Sequence, residues 1–190
     1  FYVLHMFRMA VFFLLAGFFG RMLLQRRGVG GFIKDRFGRI VLPFASFWPI
    51  VFPAIVAALI WGAVQSAGGQ PLPAEPPPNP FTVEAFPLTH LWFLYVLVIF
   101  YAAALLLRGL VVAVDRGGAL RRALDRPVRF LVENWAPILL ALPTAALLSL
   151  SGKWPLWFGV HTPDTGLIPN VQALVIYGLV FGLGWLVNRQ

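Results

Sequence analysis

No cysteine occurs among the 190 residues, and charge of either sign is scarce, at 12% of the chain. Without cysteine there are no disulfides and no thiolate metal sites, and composition is silent on redox compartment. Soluble domains carry about a quarter charged residues. A chain with this little charge, 59% hydrophobic residues and a mean hydropathy of +0.81 is therefore not a soluble fold. An initiator methionine, a signal peptide and an internal repeat are also missing. The chain opens abruptly at a helix mouth and stops just after an apolar run, so the expectation is a fragment of a larger membrane protein.

What the sequence does contain is five apolar runs of about the 20 residues that a helix needs to cross a bilayer. They fall at about 9–24, 40–64, 89–113, 135–151 and 171–187. The fold class that follows is all-α, a polytopic bundle of about five transmembrane helices. Pro43, Pro49 and Pro53 imply a bent second span. The fourth is the weakest hydropathic signal, being short and carrying Pro137 and Pro143. It reads as kinked, as starting earlier near Phe130, or as partly re-entrant, since neighbours can re-satisfy a backbone broken by proline.

A net charge of +8 and a pI near 11.1 suit nucleic acid until the basic residues are located. Arg21, Arg26, Arg27, Lys34, Arg36 and Arg39 follow the first run, with only Asp35 against them. Arg108, Arg116, Arg121, Arg122, Arg126 and Arg129 follow the third. The connection from Gln65 to Thr89 has no Lys or Arg, and that from Ser151 to Asn170 has only Lys153 with Asp164. This alternation puts the two basic links in the cytoplasm and the first residue outside. The basic excess is then a topology signal with anionic lipid contact added, and no nucleic-acid partner is expected. The segment Gln70 to Pro80, Gln-Pro-Leu-Pro-Ala-Glu-Pro-Pro-Pro-Asn-Pro, reads as an extended polyproline-like spacer. Gly28 to Gly31 and Gly117-Gly118 loosen the basic links.

The polar residues that the membrane must tolerate carry the functional signal. His5 and Arg8 are three apart at the mouth of the first span and share a helical face. An ionisable group within a span faces the bundle interior and marks a site; the alternative is that both sit in the headgroup layer with Arg8 snorkelling. All three histidines fall on the outer side. His90 opens the third span in Thr-His-Leu-Trp-Phe-Leu, at a depth like that of His5, and a histidine there can take a proton from a sugar hydroxyl. Its alternative role is a helix cap or a headgroup contact beside Trp92. His161 lies in Gly-Val-His-Thr-Pro-Asp and reads as a solvated loop residue. The three lack the ligand-pair spacing of a zinc site, and no metal is expected. At the other face, Arg36-Phe-Gly-Arg39-Ile-Val-Leu-Pro43 sets two guanidinium groups three apart, a spacing that suits a phosphate clamp or ordinary cytoplasmic anchoring.

Three motifs in order, His5-Met-Phe-Arg8-Met-Ala-Val-Phe-Phe, Arg36-Phe-Gly-Arg39-Ile-Val-Leu-Pro43 and His90-Leu-Trp-Phe-Leu94, resemble the acyltransferase-3 family of integral membrane O-acyltransferases. The resemblance is closest to the branch that contains glucans biosynthesis protein C, a succinyltransferase of periplasmic glucans. It covers roughly the first 110 residues well. It implies a bundle of about ten spans in the bacterial inner membrane, moving an acyl group from cytoplasmic acyl-CoA to a hydroxyl of an extracytoplasmic glycan. Acyl-CoA is then a co-substrate, with no bound cofactor. Arg36 and Arg39 match the motif proposed to meet the CoA phosphates. His5, Arg8 and His90 match polar positions on the acceptor side, with the family's best-supported histidine expected on a span before this chain begins. The different reading is a transporter or flippase segment whose His and Arg residues line a substrate or proton path; broken spans favour it and the missing repeat does not.

Overall fold

A computed structural model describes residues 2–66, 82–83, 86, 88, 91–150 and 166–188, without the side chains of residues 2–7, 59, 120, 121 and 124. Among these residues every regular element is helical and none is a strand, as an all-α membrane protein requires. In chain order they are α1 (Tyr2–Arg36), a π-helical segment (Phe37–Val41), α2 (Leu42–Ser66), α3 (Trp92–Val114), α4 (Ala119–Ser149) and α5 (Val171–Val187).

α1 is not a single rod. Gly28 has φ 68° and ψ −176°, a backbone conformation essentially restricted to glycine. Beyond it, the Phe32 ring lies 5.3 Å from the Tyr101 ring, whose hydroxyl donates to the Ala16 carbonyl at 2.9 Å. On a straight helix Phe32 would stand about 24 Å past Ala16. The chain therefore doubles back at Gly28, and a return leg runs from residue 29 through the π-helical segment into α2. Trp48 on that leg stacks on Phe86, 4.9 Å between centroids, next to the start of α3. Residues 29–48 thus rise about 29 Å, close to a hydrocarbon core of about 30 Å.

The sequence placed residues 25–39 in a loose cytoplasmic link and began the second span near residue 40. The structure puts the turn at Gly28 and makes residues 29–39 part of the returning helix. Hydropathy averages over side chains, and a reversal set by one left-handed glycine leaves no trace in that average. α4 is one helix from Ala119 through Pro127, Pro137 and Pro143 to Ser149, so its helical chain begins well before residue 135. The third and fifth helices fall at 92–114 and 171–187. The segment Gln70 to Pro80 lies outside the described residues.

α1, α3 and α5 run parallel around Phe13, which is fully buried. Its ring centroid lies 6.4 Å from Trp92, 5.4 Å from Phe100 and 4.9 Å from Tyr177. Phe12 meets Phe93 edge-on at 5.4 Å, so α3 begins beside a part of α1 that lies ten residues, or about 15 Å, past the start of that helix. Lipid tails are as apolar as these side chains, so close packing and not dehydration holds such helices together. α1 and α5 accordingly touch backbone to backbone. A Cβ on Gly184 would collide with the Leu14 carbonyl oxygen, and one on Gly17 with that of Phe181.

α4 is antiparallel to α5, joined where the Gln172 amide donates to the Leu147 carbonyl. At about 46 Å against 25 Å, α4 overhangs α5 by roughly its first fifteen residues. Arg122, Arg126 and Arg129 share one face of the overhang, with Arg129 paired to Glu133 at 2.8 Å. α2 leaves Ile50, Ile60 and Trp61 more than half exposed, as a lipid-facing helix does.

Gly28→Ala is expected to lower stability by about 1–3 kcal/mol, read as thermal unfolding of the whole chain in detergent. Gly30→Ala, in open space with ordinary helical φ, should be neutral or mildly stabilising. Equal effects at both positions would contradict a sharp turn at Gly28.

Candidate functional site

The doubling back carries charge into the bundle. Phe32 and Arg36 are four apart on the return leg, hence on one face. The Arg36 guanidinium carbon sits 4.9 Å from the centre of the Tyr101 ring and 5.6 Å from that of Phe32. Tyr101 is itself anchored on the Ala16 carbonyl. Ala16 lies eight residues after Arg8 and eleven before Arg27, about 12 and 16 Å along the helix. Arg36 therefore stands near half-height in the bundle and not at its basic end. Its Nε is buried with no hydrogen-bond partner.

Arg39 takes a different path. Its Nε lies 3.3 Å from Asp35 Oδ1, and Arg27 Nη1 approaches the same oxygen at 3.3 Å. The Asp35 side chain is 10% exposed and that of Arg39 75%. One carboxylate thus holds two guanidinium groups, one from each leg of the hairpin, and leaves a net positive charge beside Arg36. A third arginine, Arg21, donates from Nη1 to the Trp185 carbonyl at 3.0 Å and satisfies an acceptor at the end of α5.

The chemistry of this arrangement follows from the shape of arginine. A guanidinium laid on aromatic faces keeps its N–H edge free to donate to an oxyanion, carbonyl or phosphate. A buried donor without an acceptor costs about 1–3 kcal/mol, so the free Nε–H of Arg36 marks where an acceptor atom belongs. Charged groups at that depth face an interior or a water-filled cavity.

Of the residues singled out from sequence, the structure separates Arg36 from Arg39, the first on aromatic rings and the second exposed beside Asp35. Arg8 is exposed on α1 and has an interaction partner. His5 lies on the first turns of α1, and its side chain is not among those described; His90 and His161 lie outside the described residues. The contacts of Phe12 and Phe13 with Phe93 and Trp92 set the start of α3 beside α1 about 10 Å along that helix from His5.

A family model described as an acyltransferase domain matches residues 1–190. The chain belongs to the acyltransferase-3 family. No match was found among curated proteins or among solved structures. The family makes this a membrane acyltransferase domain, and the helices that hold Arg36 are part of its scaffold.

Tyr101, Phe32, Asp35 and Arg27 were not singled out from sequence as site residues. The Phe32–Arg36 spacing was a usable signal, as was a lone acid among six bases. Tyr101, 65 residues from Arg36 in an apolar helix, gave none.

Replacing Tyr101 by Phe should remove only the bond to Ala16, costing about 0.5–1.5 kcal/mol. Tyr101→Leu should cost more, by the further ~0.5–2 kcal/mol of the cation–ring contact. Thermal unfolding of the two variants checks the order; Leu no worse than Phe would remove the stacking from the account.

Proposed function

We propose that this acyltransferase moves an acyl group from cytoplasmic acyl-CoA to a hydroxyl of an extracytoplasmic glycan, across the bacterial inner membrane. The carrying observation is Arg36, held at half-height by Tyr101 and Phe32 with a free Nε–H, inside a domain whose family performs acyl transfer. A donor and an acceptor on opposite sides of a membrane must meet within it, and a fixed guanidinium at that depth suits the donor's polar arm.

The end bearing Arg26, Arg27, Arg116 and Arg122 is the cytoplasmic one in this reading, by the bias of basic residues. Arg39 and Arg27 present positive charge to the phosphates of acyl-CoA, and Arg36 meets a polar atom of the donor farther in. The acceptor hydroxyl attacks the thioester carbonyl: a carbon–oxygen bond forms, the carbon–sulfur bond breaks, and CoA leaves as the thiol. By the motif resemblance a histidine on the acceptor side takes the hydroxyl proton, with His5 and His90 as this chain's candidates or companions of an upstream base and Arg8 offsetting oxyanion charge. The motif resemblance favours a periplasmic glucan as acceptor, as in the branch of glucans biosynthesis protein C, with succinyl as the group transferred.

The test is the acyl-CoA dependence of transfer in membranes carrying the protein. Arg36→Ala should raise the KM for acyl-CoA roughly tenfold or more, the worth of a charge-assisted hydrogen bond, with a smaller change for the acceptor. Arg36→Lys should not restore it, since an ammonium neither stacks nor forks. An unchanged KM for acyl-CoA overturns the assignment of Arg36. His90→Ala with full activity removes His90 from the site.

A further inference from the structure

α1 and α4 both lie against α5 and leave a slot between them. It has a volume of about 600 Å³ and is lined by Ala10 of α1, Leu140, Ala141 and Ala145 of α4, and Ile176 and Val180 of α5, among others. Among the described residues no charged side chain lines it; its polar groups are the hydroxyls of Thr144, Ser149 and Tyr177. The lining runs along α4 from Pro137 to Ser149, twelve residue rises or about 18 Å.

These dimensions select an occupant. One leaflet of hydrocarbon is about 15 Å deep, so the slot runs from one membrane surface to about the midplane. An apolar slot one leaflet deep matches a single extended hydrocarbon chain in length and in lining. Water is a poor occupant because apolar cavities stay dry, and about 150 Å³ already holds a benzene. The polar character is graded as well. Ser149 lies at the end where the Gln172 amide and the Asn170 carboxamide sit, whereas the Pro137 end is lined by apolar groups.

From this we infer that the slot holds one acyl chain of a phospholipid, drawn from the leaflet at the Ser149 end, tail inward and headgroup beside Ser149. Ala10, Ala141 and Ala145 are the floor that admits the chain, and larger side chains at those positions fill its place. The inference is independent of the acyl-transfer reading, and neither outcome below depends on catalysis.

The experiment reconstitutes the whole chain in phosphatidylethanolamine vesicles containing a fraction of the same lipid with a diazirine at mid-chain. After illumination, adducts are mapped by peptide mass spectrometry. Labelling of residues 137–149 and of Tyr177 should exceed several-fold that of Leu106 and Leu110 of α3, which are 69% and 64% exposed. Ala145→Phe and, separately, Ala141→Leu should cut the slot labelling several-fold while leaving α3 labelling and the melting temperature in place. Uniform labelling of all exposed apolar residues overturns the inference. So does slot labelling that survives both substitutions, and so does the absence of adducts in α4, which would mean that another helix covers the slot.

Discussion

Charge inside a bilayer has to be held by something other than water, and that constraint shapes the hairpin that carries Arg36. The reversal at Gly28 sends Asp35 and Arg36 back against the bundle and leaves Arg39 exposed beside Asp35, each with a specific partner. Asp35 binds one arginine from the outgoing leg and one from the returning leg, which closes the hairpin electrostatically. Arg36 has no carboxylate; it rests on two rings instead. Taking two charges out of water offsets much of their attraction, so these contacts are better understood as fixing positions than as adding stability.

Positioning depends in turn on a scaffold that is stiff where it needs to be. Phe13, Trp92, Phe100, Tyr177 and Phe181 form an aromatic seam between α1, α3 and α5, with edge and tilted geometries that suit ring quadrupoles. The Gly17 and Gly184 crossing lets α1 and α5 approach until backbone meets backbone. Tyr101 belongs both to this seam, through Phe181, and to the site, through Arg36. The height of Arg36 is therefore set by helix packing on the far side of the ring, and a change in the seam is felt at the guanidinium.

The two ends of the bundle differ in kind. The end with the α1 turn gathers Arg26 and Arg27, Arg116 and the overhanging turns of α4, while the other holds Leu88 and the short backbone links Leu167 N–H to Val83 carbonyl and Gly166 N–H to Phe86 carbonyl. Those links tie the chain before α3 to the chain before α5.

Much was legible from residues alone. Scarcity of charge and the length of the apolar runs determined an all-helical membrane protein, the third and fifth helices within a few residues, and, through three ordered motifs, the family. These are local properties: hydropathy and short-range spacing survive without knowledge of partners. The turn at Gly28 was not legible, because a positive φ is one choice among several open to a Gly-Val-Gly-Gly stretch and is made by what the returning leg packs against. The fates of Arg36 and Arg39 were not legible either. Three residues apart, they look alike in sequence, and only a tyrosine 65 positions away and an aspartate shared with Arg27 send one inward and leave the other exposed. Sequence determined which residues carry charge into this membrane protein; tertiary contacts between distant helices decided how deep each charge sits, because depth is a property of the turn and the ring it meets.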